Sequence, residues 1–223
     1  MRLRLGINTC FAVKRWPRPE DWAPVVRDRL GLRLVQHSLD LVDLTTAERR
    51  DAQGLALRSA SADHDVELHS TFTGLAAYSA NLLLAPEAAD RDAAMAWYRS
   101  VIGFTAQVGG RATGGHVGCF SVPDWGDAKR RSELWRTLRE SLAELAAAAG
   151  AVGLEYLLVE NLAVGREPST MAMIGELLDD GADGRSPIRL CLDVGHMCVP
   201  GTSGPDRDPY AWLRALGPSA PVV

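Results

Sequence analysis

The sequence contains no apolar run long enough to cross a bilayer, and residues 1–8 lack the charged and then apolar order of a secretory signal peptide. Cysteine is scarce, with four residues and no C-x-x-C pair, so a disulfide framework is not indicated. Basic residues are not in excess: 24 Lys and Arg against 28 Asp and Glu leave a net charge of −4, which argues against general binding to nucleic acid or anionic membranes. We therefore expect a reduced, cytoplasmic protein with no membrane or nucleic-acid partner.

The composition is that of a folded globular chain. Hydrophobic residues make up 47% and charged residues 23% of the sequence, which excludes intrinsic disorder. A length of 223 residues suits one large domain, so we expect a single domain over residues 1–223.

Short apolar runs alternate with longer helical patterns along the whole chain. The runs predict six strands, at residues 3–7, 32–37, 66–70, a glycine-interrupted stretch ending with 116–120, 155–160 and 188–193. The helical signals include a capping box at 45–48, a leucine repeat, and a short last helix that is capped by Asp208-Pro209 and carries Tyr210, Leu213 and Leu216. The leucine repeat that marks the fourth helix consists of Leu134, Leu138, Leu142 and Leu145.

This alternation predicts an α/β fold with a parallel sheet and right-handed crossovers. No glycine-rich nucleotide-binding fingerprint follows the first strand, which disfavours an open doubly wound sheet. We therefore predict a (β/α)8 TIM barrel that stops after about six and a half strand–helix units, because eight units of this spacing need a longer chain. Residues 221–223 would then begin a seventh strand, and the last two units would be missing.

Polar residues end the predicted strands. In a barrel these ends converge on one rim, where active sites lie, so the set predicts a functional pocket. The alternative for any single member is a capped strand end or a hydrogen-bonded core histidine. The set comprises Asn8, His37, His69, His116, Glu160 and Asp193.

The sharpest local signals are Glu160 and Asp193, each of which ends an apolar strand, with His196 three residues beyond Asp193. A buried carboxylate is costly unless it is paired, hydrogen-bonded or metal-bound, and two on neighbouring strands repel each other. A divalent cation would relieve both problems. The alternative is that the carboxylates cap the following helices or pair with arginines such as Arg166 or Arg189.

These motifs resemble a known family. Residues 5–8 (Leu-Gly-Ile-Asn), the pair Glu160-Asn161 and residues 192–196 (Leu-Asp-Val-Gly-His) are similar to the xylose-isomerase-like barrels, which are sugar and sugar-phosphate isomerases and epimerases. Residues 6–11 and 40–44 further resemble the branch that epimerises tetrulose phosphates such as erythrulose phosphate.

The resemblance implies a divalent metal, commonly Mn, Mg or Co, held by four ligands from the last four strands. Glu160 matches the first ligand, which is also one of two catalytic carboxylates, and Asp193 matches the second. His196 matches a histidine that hydrogen-bonds a substrate oxygen. The third ligand (His or Gln) and the second catalytic Glu would belong to strands seven and eight, beyond Val223.

The implied reaction removes a proton from the carbon beside a ketose carbonyl and returns one to the other face, through an enediolate that the metal stabilises. Because Glu160 supplies one face only, we expect this chain alone to epimerise poorly or not at all. A substrate phosphate would need cationic donors, for which Lys14 with Arg15, or Arg166, are candidates; the alternative for each is solvated surface charge.

Two other functions remain open. An endonuclease IV-like metal-dependent nuclease shares the barrel and the Asp-x-x-His strand end, although a net charge of −4 and five histidines do not favour it. The second is a truncated, non-catalytic barrel that binds a sugar phosphate. Residues 71–86 form a long apolar connection that suits either a lid over the pocket or a homo-oligomer contact.

Overall fold

Six parallel strands lie side by side in the order in which they occur along the chain. The computed structural model describes residues 3–179, 187–199 and 203–223. The strands are β1 (Gly6–Asn8), β2 (Leu34–Ser38), β3 (Glu67–Phe72), β4 (Ala112–Gly115), β5 (Tyr156–Glu160) and β6 (Ile188–Cys191). Sequential order of parallel strands is the arrangement of a barrel wall, which confirms the predicted fold class.

Helices follow the strands and cover the outside of the sheet. They are α1 (Pro19–Pro24, continued by a π-helical turn Val25–Arg29), α2 (Ala47–Asp63), α3 (Ala88–Gln107), α4 (Val122–Gly126), α5 (Ala128–Ala151), α6 (Met171–Asp179) and α7 (Pro209–Leu216). None of the described helices is both long and apolar enough to span a membrane.

The largest apolar cluster lies between the sheet and helices α3, α5, α6 and α7. The leucine repeat of α5 is confirmed as its inner face, because all four leucines are buried in this cluster. Burial of one face at this spacing is what holds a long surface helix against a sheet.

Two local helix predictions were wrong in detail. Helix α2 is capped by Thr46, whose side chain accepts a hydrogen bond from the amide of Arg49, so the capping box at 45–48 does not form in the predicted frame. Asp208 caps α7 as predicted, and Leu216 packs against the large apolar cluster. Trp212, however, is the buried residue of that helix, while Tyr210 is 71% exposed and Leu213 is 40% exposed. The Trp212 indole N–H donates to the carbonyl of Asp206 (3.0 Å), which satisfies its polar atom inside the core.

The fourth strand was also misplaced by the sequence reasoning. β4 ends at Gly115, and residues 116–120 lie beyond it. Gly114 and Gly115 adopt φ of +142° and +131°, and a Cβ on Gly114 would lie 1.9 Å from the carbonyl oxygen of Leu158 on β5. The glycines therefore belong to the strand, where the neighbouring backbone comes too close for a side chain.

The chain returns to the sheet at residues 221–223. Val222 forms a parallel bridge with Cys191, and the amide of Leu192 donates to the carbonyl of Val222 (2.9 Å). The predicted onset of a seventh strand is therefore confirmed. Within the described residues, no backbone pairing joins Val222 to β1, and a cavity lies between them.

Candidate functional site

The main cavity of the described chain has a volume of about 600 Å³ and lies inside the sheet. Its lining runs from Arg4 near β1 to Glu160 and Asp193 at the carboxyl ends of β5 and β6. A volume of this size falls within the range of sites that bind small molecules. Polar side chains that contribute to the lining include Asn8, Gln36, His69, Tyr78, Glu160 and Asp193.

Glu160, Asp193 and His196 come together at the carboxyl ends of β5 and β6. The pairing of Glu160 with Cys191 places the end of β5 beside the residues that follow β6. His196 Nδ1 lies 3.9 Å from Glu160 Oε1 and 3.7 Å from Asp193 Oδ2, and one candidate ligand atom from each of the three residues lies within 4.8 Å of the other two. The structure thus unites the three residues that the sequence singled out most strongly.

Asn161 fastens these two strand ends to each other. Its amide nitrogen donates to the carbonyl of Asp193 (2.8 Å), and its amide oxygen accepts from the backbone N–H of Asp193 (2.7 Å). The Asn161 carbonyl also contacts Nδ1 of His196 at 2.7 Å. Because a carbonyl can only accept, Nδ1 carries a proton and donates to the backbone carbonyl of Asn161, which leaves Nε2 as the ring nitrogen available to another partner.

Glu160 is the buried member of the cluster, with 2% of its surface exposed. Burial raises the pKa of its carboxyl group to about 7, while a hydrogen bond from the Tyr78 hydroxyl to Oε2 (2.7 Å) opposes that shift. Burial and the nearby Glu160 raise the pKa of Tyr78, so its phenol stays protonated as the donor. Within the described residues, no Lys or Arg pairs with Glu160 or Asp193.

This donor set fits a divalent cation. Two carboxylates and one imidazole lie close together, and the buried carboxylate lacks the cationic side chain that would otherwise compensate its charge. Carboxylate oxygen and neutral imidazole nitrogen are ligands of Mg²⁺, Mn²⁺ and related ions. Glu160 and Asp193 are the residues that would hold such an ion.

Tyr78 contacts Glu160 but was not among the site residues predicted from sequence. It lies in a short 3-10 turn, Ala76–Ser79, within the long connection at residues 71–86. Its ring stacks on His116, with centroids 5.1 Å apart, and meets His196 edge-on at 6.0 Å. The one sequence signal was that Tyr78 is an aromatic residue with a hydroxyl group in a long, largely apolar connection.

Three predicted site histidines, His37, His116 and His69, lie outside the group formed by Glu160, Asp193 and His196, and His37 and His116 are buried. His37 points away from the main cavity, shares a hydrogen bond with Thr9 Oγ1 (3.2 Å) and packs on Trp22. His116 is fully buried beneath Tyr78, with Nε2 at 3.4 Å from the carbonyl of Ala80 and with no hydrogen-bond partner for Nδ1 among the described residues. Burial lowers the pKa of both to about 4, so both rings are neutral.

His69 lines the same cavity but has other partners. It is the extra residue of a bulge in β3, since Val35 pairs with Leu68 and Gln36 with Ser70. Its Nε2 lies 3.1 Å from the Tyr156 hydroxyl and its Nδ1 lies 3.1 Å from Ser70 Oγ. His69 therefore belongs to a polar network inside the sheet and not to the Glu160 cluster.

None of the three predicted phosphate-binding cations, Lys14, Arg15 and Arg166, belongs to the described cavity lining. Lys14 is exposed after β1, with φ of +66°. The guanidinium group of Arg166 donates to the carbonyl of Phe120 and lies 3.2 Å from Cys119 Sγ, so it joins the loops that follow β4 and β5. Arg4 does line the cavity, but it is paired with Glu67 on β3 (Nη1 to Oε1, 3.0 Å).

The known proteins to which this chain is similar are named as sugar epimerases or isomerases. D-erythrulose 1-phosphate 3-epimerase of Brucella abortus (strain 2308) is 27% identical over 232 residues, which cover 100% of this chain and 73% of that protein. A Rhodospirillum rubrum protein whose crystal structure is named after xylose isomerase is 37% identical with a TM-score of 0.90, and the match covers 98% of this chain and 75% of that one.

A D-psicose 3-epimerase solved in the presence of D-fructose has the same fold at 19% identity, with a TM-score of 0.70 over 98% of this chain and 71% of that one. Residues 28–217 match the family described as xylose isomerase-like TIM barrel. That range is most of the chain and contains Glu160, Asp193 and His196. The chain therefore belongs to the xylose isomerase-like TIM barrel family.

Proposed function

We propose that this chain carries the metal and substrate site of a sugar epimerase or isomerase that acts at the carbon beside a ketose carbonyl. The observation that carries the proposal is the cluster of Glu160, Asp193 and His196 at one end of a cavity of about 600 Å³. Membership of the family and the 27% identity to an erythrulose phosphate epimerase support it.

Each residue of the cluster has a distinct role. Glu160 and Asp193 hold the divalent metal, which when bound supplies Lewis-acid stabilisation of negative charge on substrate oxygens. Glu160 also takes the proton from the carbon, since it is the buried carboxylate in the cavity lining and its Oε1 faces His196. His196 binds a substrate oxygen through Nε2, because its Nδ1 is occupied by the Asn161 carbonyl.

We infer a small ketose phosphate, erythrulose 1-phosphate, as the first substrate to test, by analogy with the Brucella abortus relative. For its phosphate we favour Lys14 over Arg166: Lys14 lies outside the described cavity lining but closely follows two of its members, Asn8 and Cys10, whereas the Arg166 guanidinium is already bound to Phe120 and Cys119. Lys14→Gln should then weaken binding of erythrulose 1-phosphate by about tenfold and leave binding of unphosphorylated erythrulose unchanged, for the loss of one charge-assisted bond. Equal weakening for both sugars would contradict this assignment.

The described cavity holds a base on one face only. Glu160 and Asp193 are the carboxylates in the described lining, and both lie at the ends of β5 and β6. Epimerisation needs a second base on the opposite face, whereas removal and return of a proton on one face needs Glu160 alone. We therefore expect this chain to exchange the C3 proton of the ketose with solvent more readily than it inverts C3.

The test is proton exchange in D2O. The chain is incubated with Mg²⁺ and erythrulose 1-phosphate, and the C3 proton is followed by NMR. We expect its signal to decay with the wild-type chain and to persist with Glu160→Gln. Glu155→Gln, immediately before the same strand and paired with Arg111 (2.7 Å), is the matched control and should behave as wild type.

The outcomes separate the alternatives. Metal-dependent binding of the sugar phosphate without exchange would identify a non-catalytic binding barrel. Exchange that survives Glu160→Gln would remove Glu160 from its proposed role, and absence of binding with Mg²⁺, Mn²⁺ or Co²⁺ would refute the proposal.

A further inference from the structure

The turn that carries Tyr78 is held by a carboxylate outside the cavity. Asp40, which follows β2, accepts hydrogen bonds from the backbone amides of Leu75 (2.6 Å) and Ala76 (3.0 Å). The hydroxyl of Ser38 donates to the same carboxylate at 3.1 Å. Two backbone amides at the start of the Ala76–Ser79 turn therefore donate hydrogen bonds to a side chain of a different loop.

Gly74 makes this close approach feasible. Its φ is +86°, and a Cβ at this position would lie 2.6 Å from the Asp40 carboxylate. Any other residue would push the turn away from Asp40 and would also strain the backbone. The sequence around the turn is thus adapted to the carboxylate.

At the other end of the turn, Tyr78 contacts the group formed by Glu160, Asp193 and His196. The Tyr78 hydroxyl donates to Oε2 of Glu160 (2.7 Å), while Oε1 faces Nδ1 of His196 (3.9 Å). Rotation about the last bond of a Glu side chain is soft, so one fixed donor sets the orientation of the carboxylate plane and thereby directs the second oxygen. The ring of Tyr78 is in turn held by its stack on His116.

We propose that Asp40 and Tyr78 are positioning residues of the metal site. Asp40 fixes the turn, and the turn brings the Tyr78 hydroxyl to Oε2 of Glu160. Oε1 of Glu160 is thereby left directed towards His196 and the position that the metal would take. The metal part of this inference rests on the proposed function, whereas the link from Asp40 to Tyr78 to Glu160 does not. Loss of a partner that orients a metal ligand weakens metal affinity by about 10- to 100-fold.

The remainder of the connection is anchored independently of Asp40. The amide of Leu83 donates to the carbonyl of Val117 (3.2 Å), and Leu83 and Leu84 are fully buried. Substitution of Asp40 should therefore disturb the turn locally without detaching residues 81–85 from the fold. Asp40→Asn and Tyr78→Phe are suitable variants because both preserve side-chain size.

The first measurement is independent of metal. The chain has four tyrosines, so 3-fluorotyrosine labelling gives four fluorine NMR signals, and Tyr78→Phe identifies the signal of Tyr78. Asp40→Asn should move that signal towards the position of an exposed tyrosine, for which Tyr210 is the reference, and Glu160→Gln should also shift it. Asp43→Asn is the matched control, because Asp43 lies in the same loop but binds Thr45 and Arg49.

The second measurement is Mn²⁺ affinity by calorimetry. We expect the dissociation constant to rise by about 10- to 100-fold in Tyr78→Phe and in Asp40→Asn, and to stay at the wild-type value in Asp43→Asn. The double variant, Asp40→Asn with Tyr78→Phe, should bind Mn²⁺ as tightly as whichever single variant has the lower affinity, because Asp40 acts only through Tyr78.

Each outcome decides one link. An unchanged Tyr78 signal in Asp40→Asn overturns the link from Asp40, and additive losses of affinity overturn the order of action. Equal Mn²⁺ affinity in all variants overturns the positioning role at the metal. Shifted fluorine signals without any Mn²⁺ binding by the wild-type chain would support the link to Glu160 and refute the metal-dependent function.

Discussion

Protonation of His37 should make the unfolding of this protein strongly dependent on pH. His37 is 3% exposed, packs on Trp22 with ring centroids 5.6 Å apart, and has a pKa lowered to about 4 by burial. In the unfolded chain its pKa is about 6.5. Between these two values the unfolded chain binds the proton and the folded chain does not, so the free energy of unfolding falls as the pH falls from 6.5 to 4.

The size of the effect follows from the separation of the two values. A difference of about 2.5 pH units corresponds to about 3 kcal/mol, which is fully present above pH 6.5 and lost by pH 4. At pH 5 about 2 kcal/mol is already lost. Other titrating groups add their own dependence, so the quantity to compare is the slope of the free energy of unfolding with and without His37.

The assay is urea unfolding of the wild-type chain and of His37→Gln at pH 7, 6 and 5, followed by tryptophan fluorescence. We expect His37→Gln to be less stable at pH 7, because packing on Trp22 changes, but to lose about 2 kcal/mol less than wild type between pH 7 and pH 5. His64→Gln, at the end of α2, is the control. Equal slopes for His37→Gln and wild type would refute the reasoning.

Three further predictions concern the backbone, the core and the metal. Gly114→Ala should lower the free energy of unfolding by about 3 kcal/mol or more, because the added Cβ would clash with the carbonyl of Leu158. The control Gly103→Ala, on the open surface of α3, should raise it by about 0.5–1 kcal/mol. Equal effects of the two substitutions would contradict the geometry. Leu138→Ala, at 0% exposure, should cost about 2–5 kcal/mol by urea unfolding, and a loss below about 1 kcal/mol would show that the site is not tightly packed. Mn²⁺ at 100 times the wild-type dissociation constant should raise the free energy of unfolding by about 2.7 kcal/mol in the wild-type chain. The same Mn²⁺ concentration should raise it by less in Asp193→Asn, and an equal gain in both would place the ion elsewhere.

The sheet and the long helices could be predicted because their signals extend over many residues. The leucine repeat of α5 covers three turns, and no strand pattern produces that spacing. The fourth strand was misplaced because β4 consists of Ala-Thr-Gly-Gly, which carries no apolar run. Its glycines satisfy a close approach to β5, and such a requirement depends on the partner strand, which the local sequence does not contain.

The grouping of Glu160, Asp193 and His196 was predictable for a different reason. Glu160 and Asp193 end neighbouring parallel strands, and that topology alone brings them to one rim. The histidines show the limit of the same argument. On β2, Gln36 accepts a hydrogen bond from Asn8 (2.8 Å) inside the cavity, while the next residue, His37, faces Trp22 on the helix side. A position near the end of a strand does not determine the face, because neighbouring residues alternate between the two faces.

Tyr78 could not have been assigned from sequence, since its partner Glu160 lies 82 residues away and the path of the intervening loop decides the contact. That path is fixed by Asp40 and Gly74, neither of which has a ligand-like pattern around it. The chemistry of this site thus has two origins. The carboxylates come from the regular alternation of the barrel, which sequence periodicity reports. Their orientation comes from hydrogen bonds between loops, which only the three-dimensional structure reports.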